Sequence, residues 1–412
     1  MRGIGRRTTL GPAGPAPPER ELPAVEVRRP WPRLLSLVLT LAVAVGASVL
    51  ALLLWSPAPG AGPAASPGPT SPGTARGAQP AACTRQWGPV SDLGPLLATL
   101  RPGDIVCLGR GTYGARGTRT DWRAAGTSAE PIVLRGTPGE PVLLRGFLNI
   151  EADHVELDGV VLDGPTGAVS PANAPGGQEV LAWIQGTGVV LRHCEVRGGL
   201  WRAGVYVTGR ATLIDACWVH DNGPWSDPDQ VQVGGLASNI DHGIYWGKGS
   251  AGAVINSVLE HNLAYGIQVS GGAGPVLMAN DTIVRNGAGG VIWAERTSGS
   301  TLVNSIVADN DGYSVNAHLL EGERNVARNN LAWGNRRGNW DDDGPLITRQ
   351  NGVADPLFRG PGDYRLRAGS PAVDAGSQQD APPTDYDGRP RPAGAGPDLG
   401  AYELAAPAGP SP

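Results

Sequence analysis

Residues 255–262 read INSVLEHN, 279–286 ANDTIVRN, 303–310 VNSIVADN and 328–335 RNNLAWGN. Aligned, they place Asn256, Asn280, Asn304 and Asn329 in one register and Asn262, Asn286, Asn310 and Asn335 in another, each stepping by 24, 24 and 25 residues. A second motif travels with them: GVYV (204–207), GIYW (243–246), GIQV (266–269) and GVIW (290–293). Each unit is a short β-branched run, a polar turn and another short run. A period of ~20–50 residues built from strand-like units means a solenoid or a propeller, and a propeller blade needs about 40 residues or more. A leucine-rich repeat would need leucines at fixed offsets and a helical segment, and neither is present. A rung of about 24 residues with two or three short strands is that of a parallel β-helix, an all-β solenoid whose equivalent positions stack at ~4.8 Å. Stacked turn asparagines can then hydrogen-bond from rung to rung.

The rest of the 412 residues agrees. Charged residues are only 17%, glycine is frequent (62) and no strict G-X-Y period appears, which excludes a coiled coil and collagen. A net charge of −5 offers no basic face for nucleic acid, so no such partner is expected. Lys248 is the only lysine among 33 basic residues.

Residues 1–33 form a basic, Pro-rich tail. LLSLVLTLAVAVGASVLALLLW then runs from Leu34 to Trp55 without a charge. As a helix these residues would span ~33 Å, enough for a bilayer core of ~30 Å. Arg28, Arg29 and Arg33 flank its start and no basic residue follows before Arg76, so the positive-inside rule puts residues 1–33 in the cytoplasm. The expectation is a single-pass signal anchor over 34–55, with the C-terminal part extracellular; cleavage after the apolar run would give a secreted protein instead. Residues 56–82 are a Pro/Ala/Gly/Ser linker, 83–404 the folded domain, expected as a monomer, and 405–412 a disordered tail.

Four cysteines, all beyond residue 82, suit an exported domain with two disulfides. LRHCEV and IDACWV align at an offset of 23, which stacks Cys194 on Cys217 and predicts a bond there, or at least a stack. Cys83 then pairs with Cys107, although three pairings are formally open. Two insertions, after Gly164 and after Asn222, leave equivalent points of the repeat and should flank a shared cleft.

LRPGDIVCLGRGTY (100–113) with PIVLRGTPGEPVLLRG (131–146), and DHGIYWGKGSAGAVINSVLEHNLAYGIQV (241–269), resemble right-handed parallel β-helix repeat proteins of the pectate-lyase-like group. DPLF (355–358), DYRL (363–366), SPAVDAG (370–376), DYDGRPR (385–391) and GPDLGAYE (396–403) resemble the end segment called choice-of-anchor Q, expected as a cap over 355–404. The resemblance implies a polysaccharide partner. It leaves lyase, hydrolase, epimerase and non-catalytic binder open.

The richest polar stretch is 220–248. A uronate lyase needs a base beside a neutralised carboxylate, and a desolvated lysine serves because its pKa falls readily. Lys248, His242 and Asp241 are therefore the candidate catalytic residues. Tyr206, Tyr245 and Gln268 fall on equivalent outward positions and, with Trp225, make a candidate sugar-binding row, aromatic faces suiting sugar rings. Asp227 and Asp229 could supply oxygen ligands for Ca²⁺, the one metal suggested. The leading expectation is a membrane-tethered lyase on an acidic polysaccharide; the alternative is a non-catalytic glycan-binding or surface-structural β-helix.

Overall fold

The computed structural model describes residues 81–164, 180–199, 202–223, 241–318, 320, 325–342 and 346–404. The expected membrane span at 34–55, nearly all of the linker 56–82, both insertions and the tail 405–412 lie outside them. Among the described residues no helix is long and apolar enough to cross a membrane.

The domain is a parallel β-helix with three parallel sheets. Among the described residues sheet I has 11 strands, from Arg85–Trp87 to Leu346–Arg349. Sheets II and III begin as the two halves of the long strands Gly111–Trp122 and Val142–Ile150, then separate. Sheet II continues through Val161–Asp163, Glu195–Arg197, Trp218–His220, Val258–Glu260, Thr282–Val284, Ile306–Ala308 and Leu331–Trp333. Sheet III continues through Val180–Ile184, Ala203–Val207, His242–Trp246, Tyr265–Val269, Gly289–Ala294 and Tyr313–His318. One rung thus runs Ala251–Ile255 in sheet I, Val258–Glu260 in II and Tyr265–Val269 in III, and the chain re-enters sheet I at Val276–Ala279. Alternate residues point inward, so Val254, Leu259 and Ile267 meet on the axis with Met278, Ile283 and Val291 of the next rung. Each such side chain contributes roughly 1.5–3 kcal/mol of burial.

The two asparagine registers do different work. Asn256, Asn280, Asn304 and Asn329 turn the chain from sheet I to sheet II with φ between 52° and 55°, left-handed values that asparagine tolerates better than most residues. Of these only Asn304 reaches a neighbour in the register, its Nδ2 donating to Oδ1 of Asn280 on the preceding rung at 3.3 Å. The second register is a continuous buried ladder between sheets II and III. Asn262 Nδ2 donates to Asn286 Oδ1, Asn286 to Asn310 and Asn310 to Asn335, at 3.0, 3.0 and 2.9 Å. Asn222 joins at the top, 2.9 Å from Asn262 Oδ1. The glycine motif exists to admit this ladder. A Cβ on Gly243 would sit 2.8 Å from Asn262 Nδ2, and one on Gly204 2.8 Å from Asn222 Nδ2.

Cys83 and Cys107 form a disulfide with Cα atoms 5.7 Å apart. The second expected bond is absent: Cys194 and Cys217 are buried free thiols. Both point into the core, and each S–H is directed at carbonyls of its own corner and of the preceding rung, Arg192 and Leu157 for Cys194, Asp215 and Leu191 for Cys217.

The segment 355–404 corrects the expected end cap. It lies along the outward side of sheet II, where Tyr364, Leu366, Ala372, Leu399 and Ala401 cover Val258, Val284, Ile306, Ala308 and Leu331. Hydrogen bonds to Asn256, Asn280, Thr282 and Asn304 tie this strap to successive rungs. The reason is visible in the strands: their outward positions are apolar here, whereas the earlier rungs carry Arg145, Asp163 and Arg197 in ion pairs.

Candidate functional site

The outward face of sheet III carries one column in strict register: Trp183, Tyr206, Tyr245, Gln268, Ile292 and Asn316. Their strand neighbours Val205, Val207, Ile244, Trp246, Ile267 and Val269 are buried in the core, which fixes the column outward. Tyr206, Tyr245 and Gln268 therefore line up as expected. Trp183 heads the row and was missed. It sits in VLAWI (180–184), where Leu181 stands opposite Gly204, so the glycine motif that revealed the other strands is broken there.

The rings stack on one another. Trp183 and Tyr206 have centroids 5.8 Å apart, Tyr206 and Tyr245 4.9 Å, both at 25° between planes. Trp183 Nε1–H donates to Thr208 Oγ1 at 3.0 Å, which holds the indole in place. Gly247 lets the Tyr206 ring lie close to the backbone, since a Cβ there would come within 3.1 Å of it and push the ring aside by a few tenths of an ångström. Burial first, and then the neighbouring Tyr245, raise the Tyr206 hydroxyl above its ordinary pKa, with Arg202 opposing. Stacking occupies both faces of Tyr206 and one face each of Trp183 and Tyr245, so Tyr206 can meet a sugar only by its edge and hydroxyl. What the row offers a ligand is ring edges and tyrosine hydroxyls; Gln268 continues the column, but its Oε1 is buried and without a hydrogen-bond partner.

The proposed catalytic three do not come together. Asp241 is buried, and its Oδ1 accepts the backbone N–H of Arg202 at 2.9 Å. His242 is buried too; its Nδ1 accepts the N–H of Tyr265 at 3.3 Å, and its ring lies edge-on to Tyr245 at 5.6 Å. Lys248 follows the other end of the strand His242–Trp246, whose ends lie ~13 Å apart at ~3.3 Å per residue. It is exposed, with Nζ 5.7 Å from the centre of the Trp183 ring, so it is not the desolvated base that the lyase reading required. Trp225, Asp227 and Asp229 lie outside the described residues. Their insertion leaves after Gly223 and returns at Asp241, beside the row. Among the described residues no cluster of three or more His, Cys, Asp or Glu side chains is placed to hold a metal ion.

Two polar clusters lie outside the expected site residues, one at the head of the row and one on sheet II. Above Trp183, buried Asn149 donates to Asp121 Oδ1 (3.0 Å) and Glu151 Oε1 (2.8 Å) and accepts from Gln185 (2.7 Å). Arg119 and Arg123 close that network on the two carboxylates. On sheet II, His220 faces Asp221 through Nδ1 (2.7 Å) and Glu195 through Nε2 (3.2 Å), while His261 approaches the other oxygen of Asp221 at 2.5 Å. Only the register pairing could have shown either cluster, because their members come from different rungs.

A protein-family model described as right handed beta helix region matches residues 180–353. A search of curated protein sequences finds no match. Among solved structures, pectate lyase Pel9A is similar over 78% of this chain and 97% of its own, with 14% identity and a TM-score of 0.51. An alginate lyase from Paenibacillus sp. str. FPU-7 is 14% identical over 66% of this chain and 100% of its own, with a TM-score of 0.42. The complex of XylC with xylose gives 8%, 65%, 67% and 0.47 in the same order. The first of these likenesses, together with the family match, identifies the fold: the domain is a right-handed parallel β-helix.

Proposed function

We propose that this is a membrane-tethered extracellular β-helix protein that binds an acidic polysaccharide along the outward face of sheet III. The observation that carries the reading is the Trp183–Tyr206–Tyr245–Gln268 column, one polar-edged side chain per rung. Rungs repeat at ~4.8 Å, so the column offers a polymer equivalent contacts along its length. The apolar run 34–55 with its arginine-flanked start supports the tether. Segment 355–404 is read as the choice-of-anchor-Q-like end segment. A pectate lyase shares the fold, but a fold does not fix chemistry. Binding is favoured over cleavage because Asp241 and His242 are committed to backbone amides and Lys248 is solvated.

A second reading, a uronate lyase, rests on the insertion 224–240, which leaves and rejoins the chain beside the row and carries Trp225, Asp227 and Asp229, with Ca²⁺ as the cation they would hold. One assay separates the two. The protein is incubated with uronate-containing and neutral polysaccharides, with and without Ca²⁺, and retention, ultraviolet absorbance of an unsaturated product and new reducing ends are followed. Retention on an acidic polymer without product is the expected result. Absorbance that disappears in Lys248→Ala selects the lyase, reducing ends alone select a hydrolase, and no retention on any polymer overturns the proposal.

A further inference from the structure

Beside the aromatic row, at the corner where the chain passes from sheet III to sheet I, three exposed cations gather. Past the paired strand ends Val207, Trp246, Val269 and Trp293, successive rungs of this corner carry Arg210, which pairs with Ala251 of the next rung, then Lys248 and Gly249, Gly271 and Gly272, and Arg296. Arg210 Nη2 lies 3.9 Å from where a Cβ on Gly249 would sit. A β-bulge between Arg210 and Thr212 turns the arginine out of the sheet. On neighbouring strands Arg119, Arg135, Arg145, Arg192 and Arg197 all meet carboxylates. Arg210, Lys248 and Arg296 meet none among the described residues, although the chain as a whole is acidic.

The floor between them is bare backbone. Gly247–Ser250 and Ser270–Ala273 are tight turns closed by Ser250 N–H to Gly247 O and Ala273 N–H to Ser270 O, both 3.1 Å. Their central residues Lys248, Gly249, Gly271 and Gly272 all have φ between 53° and 74°. A Cβ on Gly272 would meet nothing within 4 Å. The amides of Lys248, Gly249 and Gly271 donate to no acceptor among the described residues. Among the described residues Glu295 is the one carboxylate at this corner, its Oε2 accepting from Ser270 Oγ and its carbonyl from the Gly272 amide, both at 3.1 Å; the three cations and the free turn amides outnumber it and favour an anion.

We propose that this corner is the anion subsite of the polysaccharide-binding face, taking a carboxylate or sulfate group of the chain between Lys248 and Arg210, with Arg296, whose backbone lies two rungs (~10 Å) beyond that of Lys248, receiving a second such group. The inference rests on the polysaccharide reading above and adds where the charge is recognised. The full-length protein is tested against a polyuronate, its carboxyl-reduced neutral counterpart and a sulfated neutral glycan, at low and moderate salt. The Arg210→Gln/Lys248→Gln variant is expected to lose about tenfold or more in affinity for the charged polymers, with a weaker salt dependence, and far less for the neutral one. The tighter of the two charged arms identifies the anion. The Tyr206→Phe/Tyr245→Phe variant loses affinity for all three. If the cation variant holds charged polymers as wild type does while the tyrosine variant fails, the corner inference is wrong and the face stands. If the wild type holds none of the polymers, both fall.

Discussion

Tyr206 and Tyr245 lie ring on ring across adjacent rungs, centroids 4.9 Å apart and planes 25° apart. Tyr206 also stacks on Trp183, so both its faces are occupied and only its edge and hydroxyl are free to serve a ligand, while Tyr245 gives up one face. Tyr206→Phe and Tyr245→Phe keep the stack and remove those hydroxyls. They should weaken polysaccharide retention several-fold and leave the melting temperature nearly unchanged. Tyr206→Ala breaks two stacked pairs worth ~0.5–1.5 kcal/mol each, and should lower both. Equal retention by wild type and both Phe variants in affinity electrophoresis would show that the edges are not the contact.

His220 should give the domain an alkaline limb. Both its ring nitrogens face carboxylates, and only the doubly protonated ring donates to both. Burial pulls its pKa down, but Asp221 and Glu195 together outweigh burial and leave it raised. Hydrogen bonding from His220 above all holds Asp221 down at about 2. Arg197 on Glu195 and His261 on Asp221 complete the charges facing the ring. A raised histidine stabilises fully below its unfolded value of ~6.5, and that stability is lost as pH climbs through the folded value. The lowered Asp221 acts in the opposite sense, losing its contribution as pH falls from ~3.9 towards the folded value. Thermal melts should therefore decline above about pH 6.5, and His220→Gln should flatten that decline by removing the titrating group. An unchanged alkaline slope in the variant would assign it elsewhere.

The two asparagine registers should respond very differently to mutation. Asn286 donates to Leu259 O, Val284 O and Asn310 Oδ1 and accepts both amides of Asn262, all without solvent. Orphaning a buried polar group costs ~1–3 kcal/mol, so Asn286→Ala should cost about 2–4 kcal/mol. Asn329 acts through its φ of 53°, which glycine adopts freely. Asn329→Gly should stay within ~0.5 kcal/mol of wild type. Urea unfolding of the two variants checks the difference, and similar losses would mean that the ladder has no special role.

The solenoid was legible because its corners repeat a chemical demand. A left-handed turn and a buried amide ladder both select asparagine, and the ladder selects glycine opposite. Trp183 escaped because Leu181 breaks that pattern, although the indole occupies the same column. The stacking of Cys194 on Cys217 followed from register, but register cannot say whether two inward sulfurs bond. The positions of Asp241 and His242 at one end of a strand and of Lys248 past its other end were also readable. What spacing could not supply was the direction of each side chain: Asp241 and His242 turn to backbone amides, while Lys248 turns over Trp183. The strap along sheet II left a trace that repeat analysis passes over, the change of outward residues from charged at Arg145, Asp163 and Arg197 to apolar at Val258, Val284 and Ile306.

That strap is fastened by a buried ion pair, and its removal should open one flank of the domain. Arg391 Nη1 lies 2.6 Å from Glu403 Oε1, both side chains fully buried. Arg391 also donates to the carbonyls of Asp398 and Gly400 and to Asn256 Oδ1, so the pair joins the strap to the I–II corner. Glu403 in turn accepts the amides of Ala393 and Asp398. Burial lowers the Arg391 pKa while Glu403 first, and then Asp385 and Asp398, push it back up, so Glu403 is the largest of three carboxylate contributions. Glu403→Gln would strand the charge, at a cost of about 3–5 kcal/mol. The loss should be local first: hydrogen exchange should quicken at the amides of Leu399 and Gly400, which bond to Ala372 and Asn304, before it quickens in the asparagine ladder. Dye binding to the uncovered Val258, Val284, Ile306 and Leu331 should rise with it. Arg365→Gln breaks a more exposed pair with Asp387 in the same segment, and such a pair is worth ~0–1 kcal/mol, so it serves as the control. Equal exchange in the two variants would mean that apolar contact alone holds the strap, and Arg391 and Glu403 would then be replaceable by apolar side chains of similar volume.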